Sequence, residues 1–144
     1  MTIRKIGRKK AHRERTLRNL ATSLVLYEKV KTTEAKAKAV SPLVERLFTH
    51  ARTNTLSARR YAKALLFDDN AVTKLFEDLT SRQGDRTSGF VRIVKLAPRA
   101  GDSARMAQIE LLFTPIEEVL QKQTDTKVKV RKTVNQESEQ EVSK

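Results

Sequence analysis

The chain has 144 residues, with 30 Lys or Arg against 17 Asp or Glu, a formal net charge of +13 and a pI near 10.3. That length holds one domain with appendages, and so large a positive excess repels itself unless a polyanion neutralises it, which places nucleic acid first and an anionic membrane second among partners. The absence of cysteine excludes disulfides, thiolate metal sites and cysteine nucleophiles, and no run approaches the roughly 18 apolar residues of a membrane span.

Residues 1–12 read as a basic arm. From Arg4 to Arg18 the cations are Arg4, Lys5, Arg8, Lys9, Lys10, Arg13, Arg15 and Arg18 against one acid, Glu14, so about a tenth of the length holds more than half of the net charge. The arm is not followed by the apolar stretch of a signal peptide. Lys9, Lys10, His12 and Glu14 also interrupt the apolar face of a mitochondrial presequence, so the arm reads as mature protein. Gly7 and repulsion between neighbouring cations oppose stable structure up to about Lys10, and the arm is expected to order against its partner. From about His12, Leu17, Leu20, Ala21 and Leu24 recur at i, i+3, i+4 and i+7, which predicts a helix. Arg15, Arg18, Asn19 and Thr22 lie off that stripe, available for phosphates. The helix is expected to fade at Tyr27 and Glu28, before Lys29-Val30-Lys31-Thr32 alternates as a short strand with both lysines on one face.

Thr33 is placed to cap a second helix, with Glu34 near the positive end of its dipole and Ala35, Ala37, Ala39, Val40, Leu43, Val44, Leu47 and Phe48 along it. Lys36 and Lys38 point outward from it. Pro42 inside this pattern predicts a kink or a short break. Thr53-Asn54-Thr55 stops the helix, and Ser57 to Leu66 begins another, with Tyr61, Ala64 and Leu65 apolar and Arg59, Arg60 and Lys63 polar. Asp68-Asp69-Asn70 supplies a turn and cap for a helix that presents Val72, Leu75, Phe76 and Leu79 and ends before the loop Ser81 to Gly89. Two β-rich runs, Gly89 to Leu96 and Met106 to Phe113, flank Pro98-Arg99-Ala100-Gly101-Asp102 and predict an antiparallel hairpin.

After Thr114-Pro115 the composition turns polar. Ile116 to Lys122 suits about two helical turns, Lys127, Lys129, Arg131 and Lys132 form a basic cluster, and Glu137, Glu139 and Glu141 an acidic end. The expected organisation is an arm (1–12), a globular domain (13–114) and a C-terminal extension (115–144) that is flexible or ordered by a partner. The fold class is α+β, with about four helices and a small sheet of about three short strands.

The segment RKIGRKKAHRERTLRNLATSLVLYEKVKTT, the alanine-rich TTEAKAKAV and the later GFVRIVKLAPRAGDSARMAQIEL together resemble the bacterial large-subunit ribosomal protein L17 family. The resemblance covers roughly residues 3–113 in the right order. It implies a two-layer α/β fold ordered helix-strand-helices-strand-strand, binding to large-subunit ribosomal RNA near the nascent-chain exit, neighbouring large-subunit proteins, and a cytoplasmic location on the ribosome. The chain departs from the family pattern at Met1-Thr2-Ile3, and its tail from about Pro115 exceeds the family's minimal form.

Cations spaced along a backbone suit RNA because each neutralised phosphate releases condensed counterions. Arginine adds a planar fork that bridges phosphate oxygens or stacks on an unpaired base. The candidate RNA-binding residues are Arg4, Lys5, Arg8, Lys9, Lys10, His12, Arg13, Arg15, Arg18, Asn19, Lys31, Lys36, Lys38, Arg59, Arg60, Lys63 and Arg99. Aromatics make up 5% of the chain, too few for a stacking sheet, so Phe90 and Phe113 are assigned to the core. His50 is read as structural. Asp68, Asp69, Glu77 and Asp78 would be the metal ligands of a nuclease, but they suit a cap and an exposed helical flank. No glycine-rich phosphate loop, nucleophile elbow or metal-ligand spacing occurs. The expectation is therefore a structural ribosomal protein, not an enzyme, with no metal, cofactor, membrane or small-molecule substrate. A DNA-binding architectural or regulatory protein is the alternative that charge alone leaves open.

Overall fold

The apolar stripe of the first helix is realised in α1, Lys10–Tyr27, where Ala21, Leu24 and Val25 are fully buried and Leu17 and Leu20 partly so, in a computed structural model that describes residues 5–84 and 86–113. Helix α1 stops at Glu28, which takes the left-handed conformation (φ 62°) and donates its N–H to Leu24 O at 2.8 Å. A non-glycine residue there costs roughly 1–2 kcal/mol, so something must hold it. The Glu28 carboxylate receives both Nη1 and Nη2 of Arg82 at 3.0 Å and Lys74 Nζ at 2.9 Å, and the Glu28 carbonyl accepts the N–H of Leu111 at 2.9 Å. One residue thus ends a helix, opens a strand and grips a distant helix.

Strand β1, Lys29–Thr33, follows at once. It pairs antiparallel with β3, Met106–Leu111, whose other edge pairs antiparallel with β2, Val91–Lys95, giving the order β1-β3-β2. The register aligns Val30, Ile109 and Ile93 in one row on the core face, and Lys29, Glu110 and Arg92 in the next row on the opposite face. Both strand lysines therefore share the outer face, as their spacing requires.

Helix α2, Glu34–Arg52, lies across the core face of all three strands and buries Ala37, Val40, Val44, Leu47, Phe48 and Ala51. Phe48 meets the rings of Phe90 at 5.6 Å and Phe113 at 5.1 Å, so Phe90 is fully buried and Phe113 packs against the core. Of the kink or short break expected at Pro42, the break does not occur, and α2 runs through it. Buried residues on both sides, Val40 and Val44, hold the helix onto the sheet and outweigh the one hydrogen bond that proline removes.

Helix α3, Leu56–Leu65, is capped by Thr55, whose Oγ1 accepts the N–H of Ala58 at 3.3 Å. Its buried face differs from the expected one. Ala58 and Ala62 point inward with Leu66, whereas Tyr61 is 38% exposed against His50 and Ala64 is exposed. Two helical phases fit the sequence equally, and the one that places small alanines against the core is taken.

Helix α4 begins at Asp69–Lys74, capped by Asp68 Oδ1 on the N–H of Asn70, widens into one π turn at Leu75–Leu79, and closes with Thr80–Arg82. It therefore outlasts the expected end before Ser81. The extra residue in the π turn rotates the last turn of the helix by about 100°, so Leu75, Phe76 and Leu79 stay buried and Arg82 turns in towards Glu28. Lys5 to Arg8 also close a turn, so this part of the arm has local structure where none was expected in isolation. The expected helical turns from Ile116 to Lys122, both charge clusters of the tail, and Arg4 lie outside the described residues.

The Glu28 carboxyl is held below the usual carboxylate range, chiefly by the Arg82 hydrogen bonds and then, against some desolvation, by Lys74. A lowered folded pKa stabilises the fold above the ordinary glutamate value of about 4.3 and ceases to do so as pH falls through the folded value. Glu28→Gln should lower stability at pH 7 by about 2–4 kcal/mol, because it takes from the buried Arg82 the carboxylate that both of its terminal nitrogens hold, and should flatten the acid limb of the stability curve below pH ~4.5. Urea unfolding between pH 3 and 7 measures both; an acid limb identical to that of the parent chain refutes the assignment.

A candidate nucleic-acid interface on the first helix

Helix α1 has two halves with different jobs. No residue from Lys5 to Leu20 is fully buried, whereas Ala21, Leu24 and Val25 are bedded in the core. The outer half begins without a cap: Lys9 makes no side-chain bond to the first turn, and that turn holds no acid. Its open amide N–H groups and the positive end of the dipole therefore lie in a stretch that carries Lys9, Lys10 and Arg13, with no acid in the first turn. Each such like-charge contact disfavours the helix start by about 0.3–1 kcal/mol, and an anion reverses the sign.

Before the helix, Lys5 O accepts the N–H of Arg8 at 3.1 Å across Ile6 (φ 54°) and Gly7 (φ 59°). Two consecutive positive φ values close a tight turn that brings Lys5 and Arg8 within about 7 Å of each other. Gly7 suits its place through its φ, and a side chain there would meet nothing within 4 Å. Beyond the turn, His12, Arg15 and Asn19 are exposed along α1, and Arg13 is half-buried.

The remaining candidates separate by what already holds them. Among the described residues Lys5, Arg8, Lys9, Lys10, Arg13, Arg15, Lys31, Lys36 and Arg60 form no ion pair. Lys38 is bound to Glu34, whose carboxyl that contact lowers, and both line a shallow cleft of about 360 Å³ with Thr33, Ala35, Ala104 and Arg105. Lys63 meets Asp69 at 3.2 Å with both groups exposed. Arg59 donates to Asn54 Oδ1 at 3.0 Å and lies 4.8 Å from the Phe76 ring centre. In the β2–β3 connection, Arg99 grips Asp102 with two nitrogens and holds its carboxyl down to about 2. Lys31 stands apart from α1 on the outer face of an edge strand.

Arg18 has a second occupation. Its Nε donates to Leu65 O at 2.8 Å and its Nη2 to Ala64 O at 2.6 Å, placing a cation on the open carbonyls at the end of α3, and its guanidinium lies 4.3 Å from the Phe67 ring centre. It ties the grip to the fold. The structural cations that sequence reasoning misses are Arg82, which it leaves in a loop, and Lys74. Lys74 has no local signal, and Arg82 has only the i,i+4 acid Asp78; the Glu28 carboxylate that holds both lies 46 and 54 positions away.

The acids considered for a metal are otherwise engaged or dispersed: Asp68 caps α4, Asp69 meets Lys63, Asp78 meets Arg82 and Glu77 is exposed. Among the described residues no three His, Cys, Asp or Glu groups cluster to hold a metal ion, and no helix is long and apolar enough to cross a membrane. Arg18→Ala should cost about 1–2 kcal/mol of stability, while Arg15→Ala and Arg60→Ala should stay within ~0.5 kcal/mol of the parent chain in urea unfolding. Equal losses for all three would remove the distinction between tie and grip.

The family pattern of ribosomal protein L17 matches residues 16–112. The chain is 51% identical over 109 residues to the large ribosomal subunit protein bL17 of Chlorobium limicola, an alignment covering 76% of this chain and 72% of that protein. It is 45% identical over 112 residues to the bL17 of Desulfitobacterium hafniense, covering 78% of this chain and 100% of that one. It is 48% identical over 108 residues to the bL17 of Carboxydothermus hydrogenoformans, covering 75% and 96%. The family match begins at Thr16, within α1, and runs to the end of β3; it takes in the Glu28 clamp, the sheet, α2, α3 and α4, and leaves the cations from Lys5 to Arg15 before it. The chain belongs to the ribosomal protein L17 family.

Proposed function

We propose that the chain binds large-subunit ribosomal RNA through the outer half of α1 and the turn before it, and steadies the RNA fold near the nascent-chain exit. As a member of this family it is a structural, non-enzymatic constituent of the large ribosomal subunit, acting in the cytoplasm in support of translation. The observation that carries the RNA reading is the uncapped, acid-free start of α1 among unpaired cations, on a helix whose inner half is locked in the core. Lys5, Arg8, Lys9, Lys10, Arg13 and Arg15 supply the phosphate contacts, with Arg4 extending the same run. His12 and Asn19 offer hydrogen bonds along the same helix. Lys31, Lys36 and Arg60 are secondary contacts, and Lys38, Arg59, Lys63 and Arg99 act through partners they already hold.

The organisation that goes with this reading is an arm over 1–12, a domain over 13–114 and an extension over 115–144 reaching further RNA or neighbouring large-subunit proteins. The exit-region location rests on the family resemblance.

If about 6–10 phosphates are contacted, affinity for the RNA falls roughly 10³- to 10⁵-fold between 50 and 200 mM salt. A chain beginning at Lys10 should unfold at the parent temperature yet fail to enter large subunits, and replacing Lys5, Arg8, Lys9 and Lys10 by Ala should reduce the salt slope by about 3. Normal incorporation of the shortened chain would sink the proposal. Equal affinity for duplex DNA and ribosomal RNA at ~150 mM salt would move the reading to a DNA-binding protein.

A further inference from the structure

Phe67 sits in the connection between α3 and α4 and is 52% exposed, although a guanidinium lies over its ring. Single exposed apolar residues are common and need no partner. This one is held in place. Its N–H donates to Thr22 Oγ1 at 3.2 Å, Thr22 Oγ1 in turn donates to Arg18 O at 2.9 Å, and the Arg18 guanidinium, 4.3 Å from the ring centre, is fixed by the carbonyls of Ala64 and Leu65. Two positions of α1, one turn apart, thus hold Phe67: Thr22 at the Phe67 backbone N–H and Arg18 over the ring. The other guanidinium–ring pairs among the described residues are of a different kind: Arg59 covers Phe76, which is 6% exposed, and Arg82 lies 5.9 Å from Phe113, which packs against the core.

We propose that Phe67, backed by Arg18, is a stacking platform for an unpaired base of the ribosomal RNA. The proposal deepens the RNA-binding reading above and rests on it. An aromatic face beside a cationic helix takes a base because every base has a π-face, and because a flanking guanidinium stacks and neutralises at once. Arg15, exposed one turn before Arg18 on the same helix, is placed for the phosphate of such a nucleotide. Of the neighbouring acids, Asp69 meets Lys63 and Asp68 is turned to the N–H of Asn70 at the start of α4. A base inside a duplex is already stacked, so the ligand is a nucleotide from a loop, a bulge or an end.

The chain contains no tryptophan, so Phe67→Trp introduces a single fluorophore at the site. The full-length variant, titrated with purified large-subunit ribosomal RNA at ~150 mM salt, should bind and show strong quenching of that fluorophore. A duplex RNA of mixed sequence should bind through the arm without quenching it. Phe67→Ala should weaken binding to the ribosomal RNA by about 5- to 150-fold with the salt slope unchanged, because a stacking contact and no phosphate contact is lost. Phe67→Leu, which keeps the apolar bulk, should lose a similar factor. Unaltered affinity of both variants, or a bound Phe67→Trp chain with unquenched emission, overturns the platform while leaving the arm reading intact. Emission unchanged by RNA but shifted to the blue in assembled subunits assigns the ring to a neighbouring protein and also overturns it. A parent chain that does not bind the RNA overturns both readings.

Discussion

Three elements, α1, β3 and α4, converge on Glu28. It takes the left-handed position where α1 must end, its carbonyl begins the sheet by accepting from Leu111, and its two oxygens hold Arg82 and Lys74 from α4. Each part needs the others. Arg82 is 8% exposed and would be a costly buried charge without an acid, while Glu28 would sit in a disfavoured backbone conformation without the bonds that fix it. The π turn of α4 belongs to the same constraint, because it rephases the helix so that Leu79 stays in the core and Arg82 still reaches Glu28.

With its C-terminal end clamped there, α1 can act as a rigid lever. The Arg18 and Thr22 contacts give it a second tie, to the end of α3 and the α3–α4 connection, about two to three turns nearer the arm. Beyond these two ties extends the cationic half, from Lys10 to about Arg15. A flexible polycation binds RNA at the cost of ordering itself on each occasion. A helix already anchored in a core presents its charges in a fixed order, with the turn from Lys5 to Arg8 continuing the line.

The elements are legible where one local signal decides them. The stripe from Leu17 to Leu24, the alternation from Lys29 to Thr32, the Asp68 cap and the hairpin around Arg99 all depend on residues a few positions apart, and the structure has them. The failures share a different cause. Pro42 carries a local penalty, which the burial of Val40 and Val44 on the sheet outweighs. Tyr61 suits the core on helical periodicity alone, which cannot tell its phase from that of Ala58 and Ala62. Arg82 falls to a loop because a π turn and a partner 54 residues away leave no trace in local pattern. At the candidate site the cations are visible as cations, but whether each is engaged is not, since Arg18 is held by the end of a helix 46 residues on.

That last distinction bears on where the proposed RNA affinity would reside. Within the domain six cations already face acids: Arg82 with Glu28 and Asp78, Lys74 with Glu28, Lys38 with Glu34, Lys63 with Asp69, Arg92 with Glu110 and Arg99 with Asp102. A cation already facing a carboxylate brings little to a phosphate, because the acid must first be displaced or left facing the RNA. From Lys5 to Arg15 the sequence offers one acid, Glu14, among six cations, and none of the six is paired among the described residues. The domain over residues 16–113 spreads an excess of +7 across its length, whereas the lever holds +5 in the eleven residues from Lys5 to Arg15, and the proposed RNA binding should respond more steeply to the loss of a lever charge than to the loss of one already paired in the domain.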